Sequence, residues 1–162
     1  MAKSDQLQIR VSPAQKAALK KAARRAGIDV SSYVLARVLP PARARVLDVV
    51  GALRRGADQR FALAELSDVL SSQPPAALAE VMADLDLSGL SPFLQNYVAA
   101  MVEHTANRAD VAPPAWARAI EPLDEPYFAV PFARLRPHLL RASPPAFKRR
   151  NLFVDATVGD RV

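Results

Sequence analysis

The stretch QLQIRVSP, from Gln6 to Pro13, contains two structural signals in succession. Polar and apolar residues alternate from Gln6 to Val11, and in a β-strand such alternation places the two kinds on opposite faces. Ser12 is a favoured helix N-cap, Pro13 suits the first helical turn, and Gln15 completes the spacing of a capping box. The stretch therefore predicts a short strand followed at once by a helix that begins at Pro13.

Two helices are predicted after this strand. The first ends near Gly27, because glycine is the usual residue just beyond a helix C-terminus. The second is capped by Asp29 or Ser31 and runs to about Leu39. The first helix is strongly basic, with Lys16, Lys20, Lys21, Arg24 and Arg25.

The strand has no pairing partner in the neighbouring sequence. An isolated strand leaves its backbone groups unpaired and its apolar face uncovered. A second copy of the chain would supply both, through antiparallel pairing of the two strands above four packed helices. We therefore predict a homodimer with the core residues Leu7, Ile9, Val11, Leu19, Tyr33, Val34 and Val38. The alternative is a strand paired within the chain, with its glutamines facing water.

The outer face of such a ribbon suits DNA. A two-stranded ribbon fits the major groove, where Gln pairs with adenine and Arg with guanine. The predicted base-reading residues are Gln6, Gln8 and Arg10. Backbone N–H groups near Val30 and Ser31 would hold phosphate at the start of the second helix. Attraction independent of base sequence would come from Lys3, Lys20 and Arg24.

The order Gln6-Leu7-Gln8-Ile9-Arg10, Pro13, Gly27, Val30-Ser31-Ser32 resembles the ribbon-helix-helix family of bacterial repressors and antitoxins. The resemblance covers about 40 residues and is close to the pattern of the Arc repressor. It implies a dimeric antiparallel ribbon whose outward side chains contact bases. It also implies that Val30, Ser31 and Ser32 lie against phosphate.

The rest of the chain predicts a mainly α protein with three parts. Residues 1–41 form the DNA-binding and dimerisation domain, and four apolar stripes at helical spacing predict a small helical domain over 42–112. Residues 113–162 form a proline-rich segment packed on that domain or on a partner. Within this segment we expect a short helix at Phe132–Leu140, interrupted by Pro137, and a short strand at Asn151–Val158, with alternate residues on one face.

Charge is distributed unevenly along the chain, whose net charge is +6. Residues 1–45 carry ten Lys/Arg and two acidic residues, whereas residues 62–125 carry two and ten, and residues 126–162 carry seven and two. The segments either face different partners or face each other within the fold. The cluster Lys148-Arg149-Arg150 either contacts DNA or an acidic partner, or forms a solvated turn.

The composition disfavours an enzyme or a metal protein. There is no cysteine, and neither of the two histidines, His104 and His138, stands in a sequence motif typical of a metal site or an acid–base pair. No cofactor is expected. No apolar stretch approaches the length of a membrane span and no signal peptide is evident, so we expect a cytoplasmic, nucleoid-associated protein.

The C-terminal stretch SPPAFKRRNLFVDATVGDRV, residues 143–162, is similar to the ends of bacterial proteins paired with nucleotidyltransferase-like toxins. This resemblance implies an antitoxin and transcriptional autorepressor that neutralises its toxin through the C-terminal region. The acidic stretch 62–125 could complement a basic toxin. The alternative is a stand-alone regulator whose helical domain senses a ligand or mediates oligomerisation.

Overall fold

The computed structural model describes residues 8–38 and 41–155. The chain divides into two compact units, which we call unit 1, Met1–Pro41, and unit 2, Ala42–Val162. The described part is mainly helical, as predicted. It also contains a short two-stranded sheet near the C-terminus, of which only the second strand was predicted.

Unit 1 contains helices α1, Pro13–Arg25, and α2, Val30–Val38. The Ser12 hydroxyl accepts a hydrogen bond from the Gln15 amide at 3.3 Å, and the Gln15 side chain accepts one from the Ser12 amide at 2.8 Å. This reciprocal pair is a capping box, so the predicted start of α1 is confirmed.

The end of α1 is also confirmed. Gly27 has φ of +70°, the left-handed conformation that glycine adopts without a steric penalty. The Gly27 amide donates to Arg24 O, and the Ile28 amide donates to Ala23 O. These two bonds form a Schellman motif, which satisfies carbonyl groups of the last helical turn.

The cap of α2 is Asp29, which decides between the two predicted residues. Its carboxylate accepts hydrogen bonds from the Ser32 amide at 3.0 Å and from the Ser32 hydroxyl at 2.5 Å. Residues 8–12, before α1, have no regular secondary structure in the single chain. Gln6 and Leu7 lie outside the described residues, so the paired ribbon stays a prediction.

Unit 2 consists of seven α-helices, one 3-10 helix and two strands within its described part. The α-helices are α3 Ala42–Arg54, α4 Gln59–Ser71, α5 Pro75–Met82, α6 Pro92–Arg108, α7 Ala115–Ala119, α8 Arg136–Ala142 and α9 Pro145–Lys148. The 3-10 helix is Ala133–Leu135, and the strands are β1 Tyr127–Phe128 and β2 Leu152–Phe153.

Helix α6 lies at the centre of the unit 2 core, where it packs against α4, α5, α7 and α9. The four predicted apolar stripes line this core, which confirms them. The C-terminal segment completes the same core, because Phe147 on α9 and Leu152 on β2 are fully buried. The core therefore joins side chains that are about 50 to 100 positions apart in the sequence.

The structure corrects two predictions in the C-terminal segment. Pro137 lies in the first turn of α8, where its missing N–H costs nothing, so it does not interrupt the helix. Strand β2 is only two residues long and pairs in parallel with β1. Leu152, Phe153 and Val154 are all buried, so the described residues do not alternate between faces. The predicted alternation also included Ala156 and Val158, which lie outside the described residues.

Candidate nucleic-acid interface

The basic side chains of α1 form the most strongly charged surface of unit 1. Helix α1 has no acidic residue, and a shallow groove on its surface is lined by Lys20, Lys21, Arg24 and Arg25. Residues 1–41 carry eight Lys/Arg and two acidic residues, whereas residues 42–162 carry fourteen of each. The net positive charge of the chain therefore belongs to unit 1, the charge that attraction to a phosphate backbone requires.

The described residues before α1, 8–12, are all exposed in the single chain. Gln8 and Arg10, two predicted base-reading residues, are exposed, and so are the intervening apolar residues Ile9 and Val11. The other predicted base-reading residue, Gln6, and the predicted phosphate contact Lys3 lie outside the described residues. Ile9 is 61% exposed. An apolar side chain this exposed agrees with a segment that a second protein chain would cover.

The apolar side of unit 1 is open. Val11, Leu19 and Tyr33 line a groove between α1, α2 and the preceding segment. Val34 is half-buried, and Val38, at the end of α2, is 72% exposed. Among the side chains described in residues 8–38, only Ala23 is buried. The predicted dimer-core residues that the structure describes are therefore exposed or half-buried and do not close a core within the single chain; Leu7 lies outside the described residues.

The start of α2 differs from a simple phosphate site because the carboxylate of Asp29, its N-cap, already lies there. Hydrogen bonds from the Ser32 hydroxyl and amide hold the pKa of Asp29 below its ordinary value, so the carboxylate is charged at neutral pH. Ser32, a predicted phosphate contact, uses both donors on Asp29, whereas Ser31 is exposed and Val30 half-buried. The Asp-x-x-Ser spacing was the signal for this arrangement.

The C-terminal basic cluster does not form a single surface. Arg150 is buried, and its Nη2 lies 3.3 Å from Glu103 Oε2 and also donates to Ala117 O. Its Nη1 lies 3.4 Å from Asn96 Oδ1 and 3.3 Å from Ile120 O. Burial lowers the pKa of Arg150, and the Glu103 carboxylate opposes that shift.

The neighbours of Arg150 remain at the surface. Arg149 forms a 2.7 Å ion pair with Glu103, and the Lys148 ammonium donates to Arg141 O at 2.7 Å. Both predictions are therefore wrong for Arg150: it neither contacts DNA or a partner nor lies in a solvated turn. Glu103 lies on the side of α6 opposite the stripe Leu94, Tyr97, Val98 and Met101, so the helical pattern gave no signal for this buried ion pair.

The residues that the structure describes include no group of three or more His, Asp or Glu side chains arranged to hold a metal ion. None of their helices has both the length and the apolar character needed to cross a membrane.

The comparisons with known proteins concern the N-terminal third of the chain. The model of the NikA-like family, described as mobilization protein NikA, matches residues 1–55. This match agrees with a ribbon-helix-helix DNA-binding N-terminus. Comparison of the chain with curated proteins and with solved structures yields no match.

Proposed function

We propose that the chain is a sequence-specific DNA-binding protein that acts as a homodimer through unit 1. The observation that carries this proposal is the two-sided character of α1 and α2. One side is basic and exposed, and the other is apolar and uncovered around a single buried residue, Ala23. A second copy would cover the apolar side and place two segments bearing Gln8 and Arg10 next to each other, as in a major-groove ribbon.

We further propose that the protein is an antitoxin and autorepressor. On this proposal unit 1 binds the promoter of its own gene and unit 2 binds a toxin. Unit 2 has its own extended core, which is more than DNA binding by unit 1 requires. The similarity of residues 143–162 to proteins paired with nucleotidyltransferase-like toxins supports this division. The protein acts by binding and carries out no reaction.

The NikA-like match favours a second candidate function. In that case the DNA site would lie at an origin of DNA transfer, and unit 2 would contact other proteins of the mobilisation complex. Sequencing of the DNA fragments that the full chain retains would separate the two functions. Fragments from the chain's own promoter indicate a repressor, and fragments beside genes for DNA transfer indicate a mobilisation protein.

The DNA-binding proposal is tested by substitutions in the exposed segment. Gln8→Ala and Arg10→Ala should each weaken binding to the selected site by about 1–3 kcal/mol and relax base preference. Lys20→Ala should weaken binding to all sequences and reduce the salt dependence. Gln59→Ala and Arg60→Ala are matched controls, because both residues are exposed on unit 2. Unchanged affinity of the Gln8 and Arg10 variants would refute the ribbon assignment.

A further inference from the structure

Residues 126–154 differ in charge from the rest of unit 2. They carry six Lys/Arg and no acidic residue. Arg150 is buried, but Arg134, Arg136 and Arg141 are exposed on the 3-10 helix and α8. This part of unit 2 is therefore a positive region within a unit whose total charge is balanced.

Apolar side chains are exposed among these arginines. Phe132 is 57% exposed, Leu135 41% and Leu140 47%, and in the described segment 131–141 only Leu139 is buried. Leu140 lies one turn beyond Arg136 on α8, so the two project from the same side of the helix. We call Phe132, Arg134, Leu135, Arg136, Leu140 and Arg141 the α8 surface.

The α8 surface is held in a defined position at both ends. At its C-terminal end the buried Ser143 hydroxyl lies 2.6 Å from Leu139 O and accepts a hydrogen bond from the Val154 amide at 3.0 Å. At its N-terminal end the Arg136 guanidinium lies over the Phe128 ring, 4.9 Å from the ring centre. Such anchoring reduces the conformational entropy that a partner would otherwise have to remove.

The composition of the α8 surface favours a protein partner over a nucleic acid. Protein interfaces are rich in aromatic side chains and arginine and poor in lysine, whereas exposed leucines gain little against phosphate and sugar. Residues 126–147 contain three Arg and no Lys. Helix α1, whose basic residues are predicted to attract DNA, contains three Lys and two Arg.

We propose that the α8 surface is the docking site on unit 2 for a protein whose contact surface has an apolar cleft rimmed by Asp and Glu. Phe132, Leu135 and Leu140 enter the cleft, and the three arginines pair with its rim. The inference rests on the proposed function, in which unit 2 binds a toxin; the candidate for that toxin is the product of the neighbouring gene. It assigns binding of the toxin to a basic surface, whereas the sequence had suggested the acidic stretch 62–125 for that role.

The test uses the full chain and the purified product of the neighbouring gene. Leu140→Asp and Arg134→Glu place acidic groups on the α8 surface, and Phe61→Asp is the matched control, because Phe61 is 79% exposed on α4. Binding to the promoter site monitors unit 1, and Trp116 fluorescence monitors the core of unit 2. Each α8 variant should lose about 30-fold or more in affinity for the gene product, the loss at an interface hot spot.

Hydrogen exchange on the wild-type complex gives a second readout that needs no variant. Protection over residues 132–142, together with weaker binding at higher salt, supports the α8 surface. If the gene product binds the α8 variants as well as it binds the wild type, or protects 62–125 instead, the α8 surface is wrong and the capture role stands. If the wild-type chain does not bind the gene product, both proposals fail. Loss of DNA affinity in the α8 variants alone would assign the surface to nucleic acid and overturn the inference.

Discussion

Arg150 places its guanidinium among acceptors from two helices and the segment after α7. The acceptors are Glu103, Asn96, Ala117 O and Ile120 O. Since Glu103 is buried as well, removal of Arg150 leaves a carboxylate in the core, and its ion pair with Arg149 remains. Breaking a buried pair from one side is far more costly than losing an exposed partner.

We therefore expect Arg150→Ala to lower the free energy of unfolding of unit 2 by about 3–5 kcal/mol. Arg149→Ala removes a half-exposed partner of the same carboxylate and should cost about 1 kcal/mol or less. Urea unfolding followed by Trp116 fluorescence measures both. Equal costs for the two variants would show that the Arg150 network does not stabilise the core.

Asp29 opposes the phosphate-binding role of the helix that it caps. Its charged carboxylate sits at the N-terminus of α2 and would repel a phosphate placed there. Asp29→Asn keeps an oxygen acceptor for the Ser32 amide and removes the charge. We expect this variant to bind non-specific DNA about 2–5-fold more tightly at low salt, with the gain fading as salt rises. Asp48→Asn, an exposed site on α3, is the control, and no gain over that control would contradict the expectation.

The same substitution carries a pH signature. The folded-state pKa of Asp29 is lowered, so its carboxylate stabilises the fold above the ordinary pKa, near 4. That contribution is lost as the pH falls through the lowered, folded-state value. Thermal unfolding of the wild type and of Asp29→Asn should therefore differ at neutral pH and converge as the pH falls through the lowered pKa of Asp29.

At the scale of elements, the end of α1 depends on one backbone conformation. A Cβ added at Gly27 would meet no atom within 4 Å, so any penalty there arises from the positive φ alone. Gly51 lies inside α3 with ordinary helical geometry, and a Cβ there would approach only the Arg55 side chain, whose guanidinium can move. Alanine substitutions at the two glycines therefore distinguish the cost of a positive φ from the effect of helix propensity.

Gly27→Ala should lower the free energy of unfolding of unit 1 by about 1 kcal/mol, because a left-handed residue acquires a Cβ. Gly51→Ala should raise the free energy of unfolding of unit 2 by about 0.5–1 kcal/mol, because alanine restricts the unfolded chain and favours helix. Urea unfolding monitored by circular dichroism measures both changes. A stabilising effect at Gly27 would contradict its role at the end of α1.

The elements that could be predicted from sequence are those whose signals are local. The hydrogen bonds that Ser12, Gln15 and Gly27 make join residues at most five positions apart, so both ends of α1 follow from the sequence. Strand β2 pairs instead with β1, about 25 residues earlier, and its two-residue length depends on that distant partner. Arg150 is likewise decided by Glu103, 47 positions away. Such long-range pairings produce no periodic pattern in the sequence near the paired residues, so they could not be predicted.

At the scale of the whole chain, the two units differ in what holds each of them together. Unit 2 has a core built from most of its helices, whereas unit 1 buries a single side chain among those described in residues 8–38. Two helices with so little burial are marginal alone, since most helical stability in proteins comes from packing of an apolar face. The stability of unit 1 should therefore depend on association with a second copy.

We expect the full chain to unfold in two transitions that respond differently to protein concentration. The first, the loss of α1 and α2, should be stabilised by about 1.4 kcal/mol per dimer for each tenfold rise in concentration, because dissociation accompanies unfolding. The second should be independent of concentration. The single tryptophan, Trp116, donates to Met82 O at 2.8 Å inside unit 2, so its fluorescence follows the second transition alone, and circular dichroism follows both.

Val38→Asp supplies the control for this experiment, because it places a charge on an apolar side chain of α2 that is 72% exposed. It should move the first transition to lower urea and leave the Trp116 transition unchanged. A first transition that does not shift with concentration in the wild type would mean that unit 1 is held by contacts within one chain. The ribbon would then have no second strand, and Gln8 and Arg10 would lose the geometry that places them in the major groove.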